Sequence, residues 1–459
     1  MENEVKANRE LCNSQTRRDF LQSAASAGAG LLFSPMISAR EEKAKKPDDI
    51  NVVLIGAGLQ GQVLADACNN IPGVRFRAIC DIWKNYNLSR TATVLRYFKH
   101  DITEYDYYHE LLAAEKDVDA AIIATPDFCH ADQTIASLKA GLHVYCETEM
   151  SNTVEGAKKM VQTAKETGKL LQIGRQRRSN PRYIHSYEKL IKEAKLPGQI
   201  TAVNGQWNKM MLELSGWPAG TTIPQETLNK YGYKSMTQFR NWRWYKGLGE
   251  GPVVDSGAHQ IDVYNWFLDT EPKNIFVSGR INYYDKKSRD WYDTVMTIYE
   301  YETAHGSVTA SYQAISTNSR AGHYEAFLGN EGMLNISEAD NPWNGIYREK
   351  WVSADKWKPW CDKGYIREIP EKEEDDQPSQ STVLDVKNST PPPHYEILVT
   401  LNKSIYQLHL ENFFDAIRGT SKLNCPAEQA YKTAVSVLKI NEAAESKQRL
   451  EFKPADFIV

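Results

Sequence analysis

Two short constellations in this 459-residue chain have the residue types and the spacing for chemistry. The first is Gly56-Ala57-Gly58-Leu59-Gln60-Gly61, which stands behind the apolar run Val52-Val53-Leu54-Ile55 and ahead of a helix-compatible stretch from Gln62 to Cys68. A strand that breaks at glycines and restarts as a helix lets the backbone approach a pyrophosphate, and the helix N-terminus adds partial positive charge. A second apolar run, Phe76 to Cys80, ends in Asp81, about twenty residues past the last glycine. A carboxylate there accepts hydrogen bonds from the ribose diol and repels a 2′-phosphate, so the expected cofactor is NAD rather than NADP.

The second constellation is Asp255 with His259. A carboxylate four residues ahead of an imidazole shares its helix face and can orient it and raise its basicity, as proton abstraction from an alcohol requires. The same spacing fits Asp255 as the cap of a helix starting near Ser256, with His259 an interior ring. Asp262, three residues on, is placed to meet a hydroxyl or to brace the histidine. No metal site is expected, because His259 has no partner at ligand spacing.

These residues need elements to hold them. From Asn51 to Ile173 short apolar strands alternate with helical stretches, the pattern of a doubly wound parallel sheet. The strands read are Val52–Ile55, Arg75–Cys80, Ala120–Ala124, His143–Cys146 and Leu170–Ile173, with helices near Gln60–Asn69, Tyr105–Ala114, Ala131–Ala140 and Val154–Thr167. A nucleotide domain over 48–174 follows. Beyond it longer alternating strands (Ile200–Trp207, Asn274–Tyr283, Thr294–Tyr301, Gly306–Gln313, Tyr324–Leu328) predict a mostly antiparallel sheet covered on one face by helices, in a second domain over 175–459. The acidic stretch 368–393 reads as a surface insertion, and helices Ile405–Ile417 and Ala427–Glu445 close the chain. The fold class is α/β, a Rossmann sheet followed by an open sheet.

Arg175, Gln176 and Arg178 follow the last parallel strand, the position that faces the crevice where open α/β sheets bind ligands; the same arginines also fit a solubilising basic patch. Trp207, Trp217, Trp242, Trp244 and Tyr245 are flat rings of the kind that pack on pyranose faces, although tryptophans more often build cores, and one or two are expected to meet a ligand. A net charge of −4 gives no reason to expect nucleic acid or an anionic membrane as partner. Seven scattered cysteines form neither a disulfide framework nor a zinc motif.

At the N-terminus, Thr16-Arg17-Arg18-Asp19-Phe20-Leu21-Gln22 precedes a mildly apolar, Ala- and Gly-rich stretch ending in Ile37-Ser38-Ala39. It resembles a twin-arginine signal peptide over residues 1–39, too short and weakly apolar to span a membrane. That route implies export of an already folded protein to the periplasm. Free NAD is not expected there, so the cofactor should be held tightly and its redox state reset within the site or by an external acceptor.

The glycine loop, Ala124-Thr125-Pro126 followed by His130, Gly141-Leu142-His143-Val144-Tyr145-Cys146-Glu147, Asp255-Ser256-Gly257-Ala258-His259 and Glu411-Asn412-Phe413-Phe414-Asp415-Ala416-Ile417 occur in an order that resembles the glucose–fructose oxidoreductase/inositol dehydrogenase/MocA (Gfo/Idh/MocA) family. The resemblance spans nearly all of the mature chain. It implies an active site between the two domains, cofactor contacts from Thr125, Pro126, His130, Glu147 and Gln176, catalysis by His259 with Asp255 and Glu147, and assembly as a homodimer or homotetramer through the open sheet. Thr148, Arg175, Arg178, Trp242 and Asp262 are the candidate substrate contacts. The chain departs from the family at Glu147-Thr148-Glu149, where Glu-Lys-Pro is usual. Thr148 can hydrogen-bond but brings no charge. Two activities stay open: an NAD-dependent oxidoreductase converting a ring hydroxyl of a sugar or glycoside, plausibly at C3, to a ketone, and a redox-neutral NAD-dependent glycosidase of the α-N-acetylgalactosaminidase kind. A non-catalytic sugar or nucleotide sensor on the same fold ranks below both.

Overall fold

The computed structural model describes residues 48–211, 213–339, 342–370 and 392–459. The twin-arginine segment and nearly all of the acidic insertion lie outside the described residues.

Strands β1 (Ile50–Ile55), β2 (Val74–Cys80), β3 (Thr103–Tyr105), β4 (Ala120–Ile123), β5 (His143–Cys146) and β6 (Leu171–Ile173) form a six-stranded parallel sheet in the order β3-β2-β1-β4-β5-β6. Every residue of β1 and β4 is buried, as a strand covered by helices on both faces requires. β3 is a three-residue edge strand with two exposed residues, too short and polar to leave a pattern in the sequence. The helix Asp127–Lys139 starts four residues before its expected beginning, because Pro126 occupies the cap position and its fixed φ of −65° suits a helix start. The helix Val154–Thr167 follows its expected bounds: Thr153 accepts a hydrogen bond from the Gly156 amide at one end, and Gly168 adopts φ +65° at the other.

The second sheet has ten strands: β7 (Ile200–Asn208), β8 (Pro272–Arg280), β9 (Thr294–Thr303), β10 (Gly306–Ile315), β11 (His323–Gly329), β12 (Gly332–Ile336), β13 (Gly345–Arg348), β14 (Ile366–Glu368), β15 (His394–Ile397) and β16 (Leu450–Glu451). Their order is β14-β15-β13-β12-β11-β7-β10-β9-β8-β16, antiparallel except between β7 and β10. Val295, Thr297, Tyr299 and Tyr301 of β9 are buried under helices Gly251–Leu268 and Ala427–Ser446, to which Tyr299 and Tyr301 donate hydrogen bonds at Ser436 and Asn265. The intervening Met296 and Ile298 point to the opposite, open face.

Two features cross the boundary read near Gly174. The helix Ile405–Ile417 packs Leu410, Phe413 and Phe414 into the nucleotide domain's core, and its His409 carbonyl accepts from Gln172 of β6 at 2.8 Å. The segment between β7 and the helix Gly251–Leu268 lies across the nucleotide domain in the other direction. Trp83, just past β2, packs edge-on against Phe239, donates to the Thr221 carbonyl and carries the Arg240 guanidinium 5.2 Å above its ring. Among the described residues no helix is long and apolar enough to cross a membrane.

Candidate active site

The glycine loop has the backbone that a dinucleotide needs. Gly56 adopts φ +95°, and a Cβ there would fall 2.6 Å from the Ala124 carbonyl; one at Gly61 would fall 2.0 Å from the Gly56 oxygen, so both turns admit only glycine. Gly58 faces open space apart from Asn87 at 3.6 Å, and it caps the helix Leu59–Asn69 without a side-chain hydrogen bond. The helix N-terminus therefore keeps amide donors free for a pyrophosphate. Asp81 stands at the end of β2, where it accepts from the Ala57 amide at 2.9 Å, the Trp83 amide at 2.7 Å and Asn87 at 3.3 Å. It braces the loop from the side, and burial raises its carboxyl above the usual range against the pull of these bonds. These residues fit the adenosine and pyrophosphate portions of NAD.

At the other end of the crevice, Glu147 follows β5. It accepts from Gln60 at 3.0 Å and from the Thr148 amide at 3.2 Å, and burial pushes its carboxyl up to about 7. A carboxyl that keeps its proton in the folded state to about pH 7, but loses it near 4.5 when unfolded, makes stability fall as pH rises between those values. The fall is at most roughly 3 kcal/mol. Burial also pushes the Glu250 carboxyl up to about 7, so urea titrations of cofactor-free protein at pH 5 and pH 8 should show a larger loss in the wild type than in Glu147→Gln; equal losses in both would place the proton elsewhere.

His130 does not face the crevice. Both ring nitrogens lie 2.7 Å from backbone carbonyls, those of Glu149 and Thr125, and the residue is buried. It clamps the two strand-end loops together rather than touching a cofactor. Thr125 spends its hydroxyl on Gln133 at 2.6 Å, Pro126 caps the following helix and Gln176 is buried in the turn Gln176–Ser179.

Arg175 and Arg178, expected at the substrate, are locked in buried ion pairs. Arg175 grips Glu149 through contacts of 3.1 and 2.8 Å and donates to the Ala430 carbonyl at 2.9 Å. Arg178 holds Asp262 at 2.7 and 3.0 Å, and Thr433 donates to the same carboxylate at 3.0 Å. Asp262 is thus committed and has no oxygen to spare for a sugar. Arg177 is buried against Glu325 and Glu338. What reads as a solubilising basic patch is a cluster of buried charge pairs, of which Arg175–Glu149 joins the two domains.

Asp255 and His259 share a face of the helix Gly251–Leu268, but their expected hydrogen bond is absent. Asp255 is the helix's fifth residue rather than its cap, and its carboxylate pairs with Arg243 at 3.0 Å. His259 makes no side-chain hydrogen bond among the described residues, and its Nδ1 is buried without a partner. Burial, with Arg177 and Arg175 behind it, holds the imidazole well below its usual range, so it is neutral near pH 7, and the same surroundings oppose a lasting positive charge on it. Trp207 lies 5.9 Å from the His259 ring and stacks on His323 at 4.5 Å. The Oγ1 of Thr148, Nε2 of His323 and hydroxyl of Tyr312 are likewise buried and unpartnered. Of the aromatic candidates, Trp242 carries the Arg243 guanidinium on its ring at 4.2 Å, whereas Trp244 is core.

Sequence reasoning missed Arg243, His323, Tyr312 and Asp127, the last buried with an unpartnered Oδ1. None belongs to a motif with chemical spacing; only their meeting in space singles them out. Among the described residues, no cluster of three or more His, Cys, Asp or Glu side chains could hold a metal ion.

Comparison with known proteins agrees with this architecture. The model described as "Oxidoreductase family, NAD-binding Rossmann fold" matches residues 50–175, and the "GFO/IDH/MocA C-terminal domain" matches residues 226–335. The chain belongs to the Gfo/Idh/MocA family, and its first domain is an NAD-binding Rossmann fold. It is 25% identical over 226 residues to inositol 2-dehydrogenase of Salmonella typhimurium, an alignment covering 49% of this chain and 56% of that protein. It is 27% identical over 172 residues to a glycosyl hydrolase family 109 protein of Shewanella putrefaciens, covering 33% and 38%. The chain spans about half the length of the first of these relatives, and less of the second. A solved levoglucosan dehydrogenase in complex with NADH superposes with a TM-score of 0.64 at 17% identity, covering 88% of this chain and 99% of that one, which establishes the shared fold.

Proposed function

We propose that this protein is an NAD-dependent oxidoreductase that converts a ring hydroxyl of a sugar or glycoside, plausibly at C3, to a ketone. The observation that carries this reading is His259, a neutral, unbonded imidazole on the helix face it shares with Asp255, beside the Trp207 ring. His259 takes the hydroxyl proton, the Trp207 face receives the ring's C–H surface, and Thr148 Oγ1 offers a hydrogen bond at the nucleotide-domain end. Bound in the crevice, NAD+ supplies the acceptor for the hydrogen that leaves the sugar carbon with its electron pair. The sugar-related names of the relatives support the substrate class: one similar protein is called an inositol dehydrogenase and a similar fold a levoglucosan dehydrogenase.

Export by the twin-arginine route belongs to the same proposal. The segment laid over Trp83 closes the nucleotide domain beside Asp81, which suits a cofactor that travels with the protein. On the open sheet face Phe276 and Ile298 are register partners, 48% and 44% exposed, with Met296 at 44%, and this apolar strip suits a homodimer or homotetramer. A second reading, a redox-neutral glycosidase, is favoured by Thr148 in the lysine's place and by the similarity to a family 109 hydrolase. The test is to release and weigh the nucleotide that co-purifies, then follow nicotinamide absorbance and product masses over a panel of α- and β-glycosides. Lasting reduction with a product two hydrogens lighter supports the dehydrogenase. Free sugar and aglycone without net reduction transfer the assignment to the hydrolase, and no reaction with any glycoside rejects both.

A further inference from the structure

Arg243 is the exposed arginine of the cleft with donors left to spend; the Nε and Nη2 of Arg177 and the Nε of Arg175, which make no hydrogen bond to a described residue, are buried. Arg175, Arg177 and Arg178 are each held against buried carboxylates, but Arg243 is about half exposed, bonds Asp255 through Nε at 3.0 Å and has its guanidinium carbon 4.2 Å from the centre of the Trp242 ring. Its two terminal amino groups make no hydrogen bond to a described residue. Its charge acts on Glu147, the neighbour of Thr148, and on Asp127 at the start of the helix that follows β4. Asp255 lies one helical turn before His259, a rise of about 6 Å, so the carboxylate that fixes Arg243 also fixes it near the candidate base. A planar fork held by one edge and backed by an aromatic ring is preorganised to receive oxygen on its other edge.

Resting on the proposed oxidoreductase reading, we infer that Arg243 supplies the positive charge at the reacting end of the cleft, binding the sugar's reacting hydroxyl oxygen through its free amino groups where Thr148 brings no charge. With NAD+ bound as the acceptor of the carbon's hydrogen and its electron pair, the hydroxyl proton would pass to His259 and Arg243 would hold the negative charge that grows on oxygen until the C=O double bond is complete. Asp255 is then a positioning residue for Arg243, not the partner of His259. The charge sits on the second domain rather than at the end of the nucleotide-domain strand.

The test moves the charge back. In Arg243→Met, kcat should fall by about 100-fold with KM and NAD affinity changed less than about 3-fold, and adding Thr148→Lys to that variant should restore about tenfold of the loss. Arg243→Lys, which keeps charge but loses the fork, should fall between. A second readout needs no substrate. Glu147 faces Gln60, Asp255 and Arg243, and removing the guanidinium should move the pH window of the Glu147-linked stability change upward, with Thr148→Lys returning it. Wild-type kcat in Arg243→Met, no rescue by Thr148→Lys, or an unmoved pH window each overturns the inference. A moved window in a protein that turns over no sugar rejects the oxidoreductase reading while leaving the charge where the geometry puts it.

Discussion

His259→Asn lowers kcat by about 10³-fold, leaves NAD affinity unchanged and shifts the unfolding temperature by no more than about 2 °C. The size of the effect follows from what proton abstraction contributes when a positioned base is removed. The absence of a stability effect follows from the structure, since the imidazole makes no hydrogen bond that the variant would lose. Among the described residues its one ring contact is the tilted approach to Trp207 at 5.9 Å, which a smaller amide side chain partly keeps. Steady-state kinetics on the sugar found in the panel, with a thermal melt of the same sample, decides it. Unchanged kcat would make His259 an interior ring. A kcat that falls together with the melting temperature would make it a packing residue.

The second large effect is on stability. Arg175→Met removes the cation that Glu149 and Asp262 share inside the protein, where all three side chains are about 1% exposed or less. Glu149 is then left in low dielectric without its cation, while Asp262 keeps Arg178, and breaking a buried pair in this way costs about 3–5 kcal/mol. Burial already raises the Glu149 carboxyl, and Arg175 is the main influence pulling it down. Urea denaturation should show the loss, and the additional change Glu149→Leu should recover much of it, because the orphaned charge rather than the missing contact carries the cost. A loss below about 1 kcal/mol in Arg175→Met would mean that water reaches the pair.

Both predictions turn on side chains whose surroundings differ from those the sequence suggests. Arg175, Arg177 and Arg178 look alike in the sequence, three cations after the last parallel strand. In the structure all three face acids from distant segments: Glu149 after β5, Asp262 on the helix Gly251–Leu268, Glu325 on β11 and Glu338 beyond β12. Asp255 and His259 meet the spacing for a hydrogen-bonded pair, yet Arg243 reaches in and takes the carboxylate. His130 carries a motif position and spends both nitrogens on holding loops together. The helix Ile405–Ile417 is legible as an amphipathic segment, but its apolar face belongs to the core of a domain more than two hundred residues earlier.

The sequence by itself determined the local framework. Six buried β1 residues, glycines at φ values that other residues resist, a threonine cap and a left-handed glycine at the ends of Val154–Thr167, and the alternation of β9 are each dictated within a few residues of chain. Steric limits on the backbone and the period of apolar side chains act over that range, so the Rossmann sheet, the nucleotide loop and the open sheet were readable without coordinates. Only the tertiary structure decided which charges are spent on one another and which remain for a ligand. A charge interacts through space with whatever the fold brings near it, and desolvation depends on every element packed around it. That is why Arg175 is enclosed, Arg243 keeps its terminal amino groups unbonded and His259 is neutral.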